Sequence, residues 1–191
     1  MTITSEVNLL KRYLPPRPYL LDVGARDGSF LNNFPDARQW NIDRAPKADG
    51  VLKISFDDFN VDYFNVEGFD AIIMREVIYY LTSLPFSLWH TRNLLLQGGY
   101  LYIKSANRRS YYHWTGKTLR DRHGEEYTWA PTLPELKGLL RRSGFRIVKS
   151  GAIREDVCRP GIVNGILSRL SFPFLCLFGC MDRYWVLAQK I

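Results

Sequence analysis

Tyr19-Leu20-Leu21-Asp22-Val23-Gly24-Ala25-Arg26-Asp27-Gly28-Ser29-Phe30 reads as a short buried strand running into a glycine turn. The apolar run suits a strand covered on both faces, and Gly24 lets the backbone turn sharply at its tip. In open α/β sheets, ligands sit beyond the carboxyl ends of the strands, where the strand order reverses. The turn brings Asp22, Gly24, Arg26, Asp27 and Gly28 to that region. Gly28 is expected at the start of a following helix, whose free amide protons favour a carboxylate.

Outward from this turn, short strands alternate with helical segments. Gln39–Asp43, Val51–Ile54, Phe69–Met74 and Tyr100–Ile103 are the next four strand candidates, and Phe69–Met74 is the clearest buried one. A helix is expected from Pro85 to Leu96, stopped by Gly98-Gly99. Thr132-Leu133-Pro134-Glu135 has the form of a capping box opening a helix that ends before Gly144. Phe145–Val148 then starts a strand, and Arg183–Ala188 closes the chain as the last one. Such alternation predicts a mostly parallel sheet with helices on both faces. No repeat or low-complexity linker interrupts residues 1–191, so a single domain is expected.

Asp43 ends the second candidate strand, where an acid can accept hydrogen bonds from the two hydroxyls of a ribose. A glycine turn combined with a strand-end acid holds an adenosine by its sugar. Taken singly, Asp43 is more often a turn-initiating or capping acid than a ligand, and Gly28 a plain turn.

These residues resemble a known family. Leu21 to Phe30 is similar to motif I of class I S-adenosylmethionine-dependent methyltransferases, and Asn41-Ile42-Asp43 to their motif II. Phe69 to Leu81 resembles the strand-four block of the small type 11 subgroup. Leu94 to Leu101 resembles the turn ahead of strand five, and Leu136 to Phe145 the helix and Gly-Phe turn ahead of strand six. The resemblance implies an α/β, Rossmann-like, seven-stranded and mostly parallel sheet with an antiparallel last strand. It also implies S-adenosyl-L-methionine as cofactor. Asp22, Gly24 and Gly28, with Asp27 in the same loop, would surround its methionine part, and Asp43 would hold the ribose. Ser55, Phe56 and Asp57 would border the adenine, and Arg75 and Glu76 would lie near the methyl group, Glu76 as a catalytic candidate.

Two positions depart from the family pattern. Arg26 replaces the middle glycine of motif I, and Tyr80 replaces a histidine of the strand-four block. The Arg26 side chain either swings outward, pairs with the cofactor carboxylate, or blocks the site. The last case would leave a non-catalytic, methyltransferase-like binding protein.

Residues 105–130 form a long connection beyond strand five, suited to a lid or substrate loop. Basic side chains from Arg108 to Arg122 interleave there with Tyr111, Tyr112 and Trp114. Such a set either binds an anionic acceptor or forms a solvated loop whose aromatics pack on the sheet. His113 and His123 are candidate general bases for an acceptor that must lose a proton, with surface or packing roles as the alternative. His90, inside the expected helix, reads as structural.

A formal charge of +7 and a pI near 9.4 favour anionic partners. The acceptor expected is a small, lipid- or glycan-linked molecule methylated at oxygen or nitrogen. An RNA substrate is the rival, although no separate RNA-binding module or Asn/Asp-Pro-Pro-Tyr/Phe motif is present. A nicotinamide dehydrogenase is disfavoured because Arg26 breaks the G-x-G-x-x-G spacing. Cys158, Cys176 and Cys180 lie in no C-x-x-C pair and no histidine follows them, so no metal site is expected. Free thiols, and an N-terminus without a signal-peptide layout, point to the cytoplasm. Residues 161–179 carry apolar positions at helical spacing, fitting a helix that covers the sheet, a peripheral membrane contact or a homodimer surface.

Overall fold

The computed structural model describes residues 2–60, 66–107, 130–153 and 183–191. Seven strands form one sheet: β1 (Tyr19–Val23), β2 (Arg38–Asp43), β3 (Leu52–Lys53), β4 (Phe69–Arg75), β5 (Leu95–Ala106), β6 (Phe145–Ile153) and β7 (Arg183–Lys190). Their order is β3-β2-β1-β4-β5-β7-β6. Strands β1 to β5 pair in parallel, whereas β7 runs antiparallel to both β5 and β6. This is the Rossmann-like sheet that the family resemblance implies.

Helices lie on both faces. Helix α1 (Ile3–Lys11) starts at a cap in which Thr2 and Ser5 bond each other's backbone and side chains. It buries Val7, Leu9 and Leu10 on a core that includes Leu20, Ala71, Ile73 and Tyr102. Helices α2 (Leu84–Leu94) and α3 (Leu133–Arg142) cover the opposite face, packing Leu84, Leu88, Leu136 and Leu140 against Leu21, Ile72, Leu101 and Val186. Period-2 alternation sends Leu20 and Leu21, or Ile72 and Ile73, to opposite cores. Such strands read as continuous apolar runs.

The expected capping box is present: the Glu135 carboxylate accepts from the Thr132 amide at 2.7 Å and from its hydroxyl at 2.8 Å. Asp70 at the start of β4 accepts the Tyr19 amide at 2.8 Å, clamping β1 and β4 at the end remote from Gly24.

Three expectations are corrected. No α-helix follows Gly28; a single 3₁₀ turn at Leu31–Asn33 carries the chain to β2. Asn33 and Gln39 bond the carbonyls of Phe30 and Phe34 there, and Phe30, Leu31 and Phe34 pack under α1. That helix position is therefore shortened and α1 lies over it. Helix α2 ends at Leu94 rather than at Leu96, and β5 begins at once with Leu95. Gly98-Gly99 instead lies inside β5, opposite a register shift between Phe69 and Ala71. Gly98 has φ +78°, and a Cβ on Gly99 would meet the Leu96 and Phe69 carbonyl oxygens at 2.9 and 3.0 Å. The glycine pair thus makes a bulge, not a helix stop. Finally, β3 has only two residues, Leu52 and Lys53.

No helix among the described residues is long and apolar enough to cross a membrane. Among them, no three His, Cys, Asp or Glu side chains gather to hold a metal. His113, His123, the three cysteines, residues 161–179 and nearly all of the 105–130 loop lie outside the described residues.

Candidate active site

The strand order reverses between β1 and β4, which are neighbours although β2 and β3 lie between them in sequence. A cavity of about 550 Å³ opens beyond their carboxyl ends. It is lined from β1 by Gly24 and Arg26, from β2 by Asp43, and after β3 by Ser55, Phe56 and Asp57. Arg75, Glu76, Tyr79 and Tyr80 line it from the end of β4.

Asp43 joins the first two loops. Its Oδ2 accepts the Arg26 amide at 2.9 Å and its Oδ1 the Ala45 amide at 2.8 Å. A carboxylate has about four lone-pair sites, so each oxygen keeps capacity for a further donor. The Lys47 amide donates to the Arg26 carbonyl at 2.7 Å, tying the β2 loop back to the β1 turn.

Gly24 has φ +72°, and a Cβ there would stand 2.6 Å from Val77 Cγ2. The glycine is therefore needed for conformation and for packing against the β4 loop. Arg26, where the family pattern has glycine, has a left-handed φ of +55°. Holding a non-glycine residue there costs about 1 kcal/mol, and the amide bond to Asp43 helps maintain it. Its side chain is exposed on the cavity wall.

Asp22 is buried beneath the turn and does not line the cavity. Burial pushes its carboxyl up to about 7; the Arg75 charge opposes this, while Asp43 and Asp27 add to it. Asp27 and Gly28 also stay off the cavity lining. The exposed Asp27 carboxylate accepts the Ser29 hydroxyl at 2.7 Å and amide at 3.0 Å, which hold it below the usual carboxylate range. Phe56 borders the cavity, but its ring is buried edge-on against His90 at 5.0 Å. Asp57 accepts the Ser87 hydroxyl at 3.2 Å.

The β4 side is built from charged side chains. Glu76 also has a left-handed φ, +57°, and its amide donates to the Lys104 carbonyl at 2.8 Å. Its carboxylate pairs with Arg183 at 3.4 Å and accepts the Tyr79 hydroxyl at 3.3 Å. Arg75 lays its guanidinium over the Phe30 ring, 4.2 Å from the centroid, and its Nε donates to Glu6 at 3.1 Å. Arg44 reaches from the end of β2 over Tyr80, 5.5 Å from its ring centre.

Arg44, Lys47, Tyr79 and Arg183 line the cavity without having been singled out from sequence. Arg44 could have been, since it follows Asp43 directly. Arg183 gives no such signal: it opens the last strand, 107 positions after Glu76 by numbering.

Five cationic side chains face three acidic ones across this cavity. A turn, a strand-end acid and anion-attracting walls at a strand-order reversal are what an adenosine carrying a charged tail requires. The fold, with its cavity at the strand-order reversal, is that of an α/β domain of the class I methyltransferase type. The methyltransferase-domain family model matches residues 2–150, and the chain belongs to that family, whose cofactor is S-adenosylmethionine. No curated protein sequence matches it.

Solved structures share the fold at low identity. A SAM-dependent methyltransferase from Archaeoglobus fulgidus is 17% identical with TM-score 0.69, the match covering 99% of this chain and 95% of that one. A putative methyltransferase in complex with the Trm112 activator from Haloferax volcanii is 16% identical with TM-score 0.68, covering 98% and 89%. The N-methyltransferase NodS from Bradyrhizobium japonicum, in complex with S-adenosylhomocysteine, is 15% identical with TM-score 0.62, covering 98% and 86%.

Proposed function

We infer that this methyltransferase binds its cofactor in the cavity at the β1/β4 reversal and transfers methyl to oxygen or nitrogen of a small anionic or carrier-linked acceptor. The observation that carries the reading is Asp43, which is fixed at the cavity by two backbone amides and retains acceptor capacity for ribose hydroxyls. The donor set fits the cofactor: Asp43 for the sugar, and Arg26 and Arg75 for a carboxylate. Ser55 and Asp57 border the base. The exposed position of the Arg26 side chain supports an open site over a closed one.

When bound, S-adenosylmethionine supplies a methyl group on a positively charged sulfur. The protein's part is mainly to hold the acceptor atom in line, about 3–3.5 Å away. Glu76 is the described residue suited to take a proton from an acceptor hydroxyl or ammonium, because Arg183 and Tyr79 hold its carboxylate at the cavity. The surplus of lining cations, with the charge of +7, favours an acceptor carrying phosphate or carboxylate.

Calorimetric titration with S-adenosylmethionine and S-adenosylhomocysteine tests the cofactor reading, and micromolar binding of both is expected. The absence of heat with either would refute it. Transfer of labelled methyl to phosphorylated sugars, lipid-linked saccharides and mixed RNA then separates the acceptors. Labelling of the RNA alone would overturn the small-molecule reading.

A further inference from the structure

Glu6 lies outside the cavity, on the helix that precedes the sheet. Its carboxylate is fully buried, yet it sits among Val7, Leu9 and Leu10 on the packed side of α1. One oxygen accepts Arg75 Nε at 3.1 Å and the other Lys104 Nζ at 2.8 Å. Arg75 and Lys104 are register partners at the carboxyl ends of β4 and β5, so two cations stand side by side there. Glu6 is the acid that separates and compensates them.

Burying a carboxylate is costly, and apolar side chains in place of Glu6 and Lys104 together would secure α1 to the sheet without that penalty. What apolar side chains could not do is orient Arg75. With Nε engaged by Glu6 and its flat face on Phe30, the guanidinium is held in one orientation at the edge of the cavity that Arg75 lines. Lys104 contributes at the same place through its backbone, whose carbonyl holds the Glu76 amide.

We propose that Glu6 is a positioning residue of the cofactor site, holding Arg75 so that its guanidinium grips the anionic amino-acid end of the ligand. This rests on the cavity being the cofactor site. Helix α1 is then a working part of that site rather than a cover on the sheet.

The test is a double-mutant cycle with Glu6→Gln and Arg75→Met. It is read by calorimetry with S-adenosylhomocysteine and with 5′-methylthioadenosine, a fragment lacking the amino-acid end, and each variant is also followed by thermal unfolding. Glu6→Gln is expected to weaken S-adenosylhomocysteine by about 10-fold and Arg75→Met by about 30-fold. The double variant should be no weaker than Arg75→Met alone, because Glu6 acts through that side chain. Affinity for 5′-methylthioadenosine should stay unchanged throughout.

A lowered unfolding temperature with unchanged S-adenosylhomocysteine affinity would reduce Glu6 to a structural role and overturn the proposal. So would additive losses in the double variant, or equal losses with both ligands. Should Glu6→Gln fail to fold, Glu6→Met keeps the length and removes the buried charge, and the same affinity pattern is required of it. If the wild-type protein binds 5′-methylthioadenosine but Arg75→Met leaves S-adenosylhomocysteine affinity intact, the cofactor reading survives and the proposal fails. If the wild type binds neither ligand, both fail.

Discussion

The two walls of the cavity are held by different kinds of bond. On the β1–β2 wall, backbone amides do the fixing: Arg26 and Ala45 onto the Asp43 carboxylate, Lys47 onto the Arg26 carbonyl, and Gly24 and Ala25 onto the Ile42 carbonyl. On the β4–β5 wall, side-chain charges dominate: Arg75 and Lys104 on Glu6, and Arg183 on Glu76. The first wall depends on loop conformation anchored on one side chain, Asp43, and admits a side chain elsewhere in the turn, as Arg26 at a left-handed position shows. The second depends on particular side chains from α1, β4, β5 and β7. A single substitution there leaves a buried or half-buried charge without its partner.

Asp22 stands between the walls and responds to both, so the largest effect is expected from it. Its carboxyl titrates near 7 in the folded protein against 3.8 for an ordinary aspartate. Between those values the native state keeps a proton that the unfolded chain has released. Stability therefore falls as pH rises through this window, by on the order of 4 kcal/mol in total. Asp22→Asn should be more stable than wild type at pH 8, and most of the advantage should vanish at pH 4. Denaturant unfolding at the two values measures this. Identical pH profiles for the two proteins would mean that Asp22 is ionised in the fold. Removing the opposing charge with Arg75→Met should move the wild-type transition to still higher pH.

Next in size is Asp43→Ala. It removes the acceptor of two backbone amides and the proposed ribose ligand together, and S-adenosylhomocysteine affinity should fall by about 100-fold. Asp43→Asn, which keeps one acceptor oxygen, should lose less. Calorimetry on folded variants checks both. Unchanged affinity in Asp43→Ala would leave Asp43 as a loop clamp and break the functional half of the contrast between walls.

The same contrast explains what was legible in the sequence. The β1–β2 wall is local: Gly24, Arg26 and Asp43 fall within two adjacent strand-turn units, and strand periodicity with glycine placement points to them directly. The mostly parallel sheet with an antiparallel last strand followed from the same periodicity joined to the family resemblance. The helix expected after Gly28 did not appear, because the segment is short and α1 fills that side of the sheet. Gly98-Gly99 carried a helix-stop signal although its strain serves a strand bulge. Helix α1 went unassigned, and with it Glu6, whose partners lie 69 and 98 positions away. Ion pairs of that separation leave no mark in spacing or composition; only the sheet register brings Arg75 beside Lys104.

The smallest effect tests whether the β1 turn is governed by backbone alone. Arg26 pays a conformational cost for its φ of +55°, and both Arg26→Ala and Arg26→Gly remove the guanidinium. Only glycine relieves the strain, worth about 1 kcal/mol, although it also makes the unfolded chain freer by about 0.5–1 kcal/mol. Arg26→Gly should therefore match or slightly exceed the wild type in stability, with Arg26→Ala close to the wild type. The ligand separates the remaining possibilities. If the guanidinium grips the carboxylate, both variants lose about 5-fold in S-adenosylhomocysteine affinity and nothing in 5′-methylthioadenosine. If it obstructs the cavity, both gain affinity for both ligands. A loss confined to Arg26→Gly would mean that the left-handed turn itself, stiffened by a side chain, is what the cofactor needs. That result would make the β1 turn depend on the Arg26 side chain as the opposite wall depends on its charges.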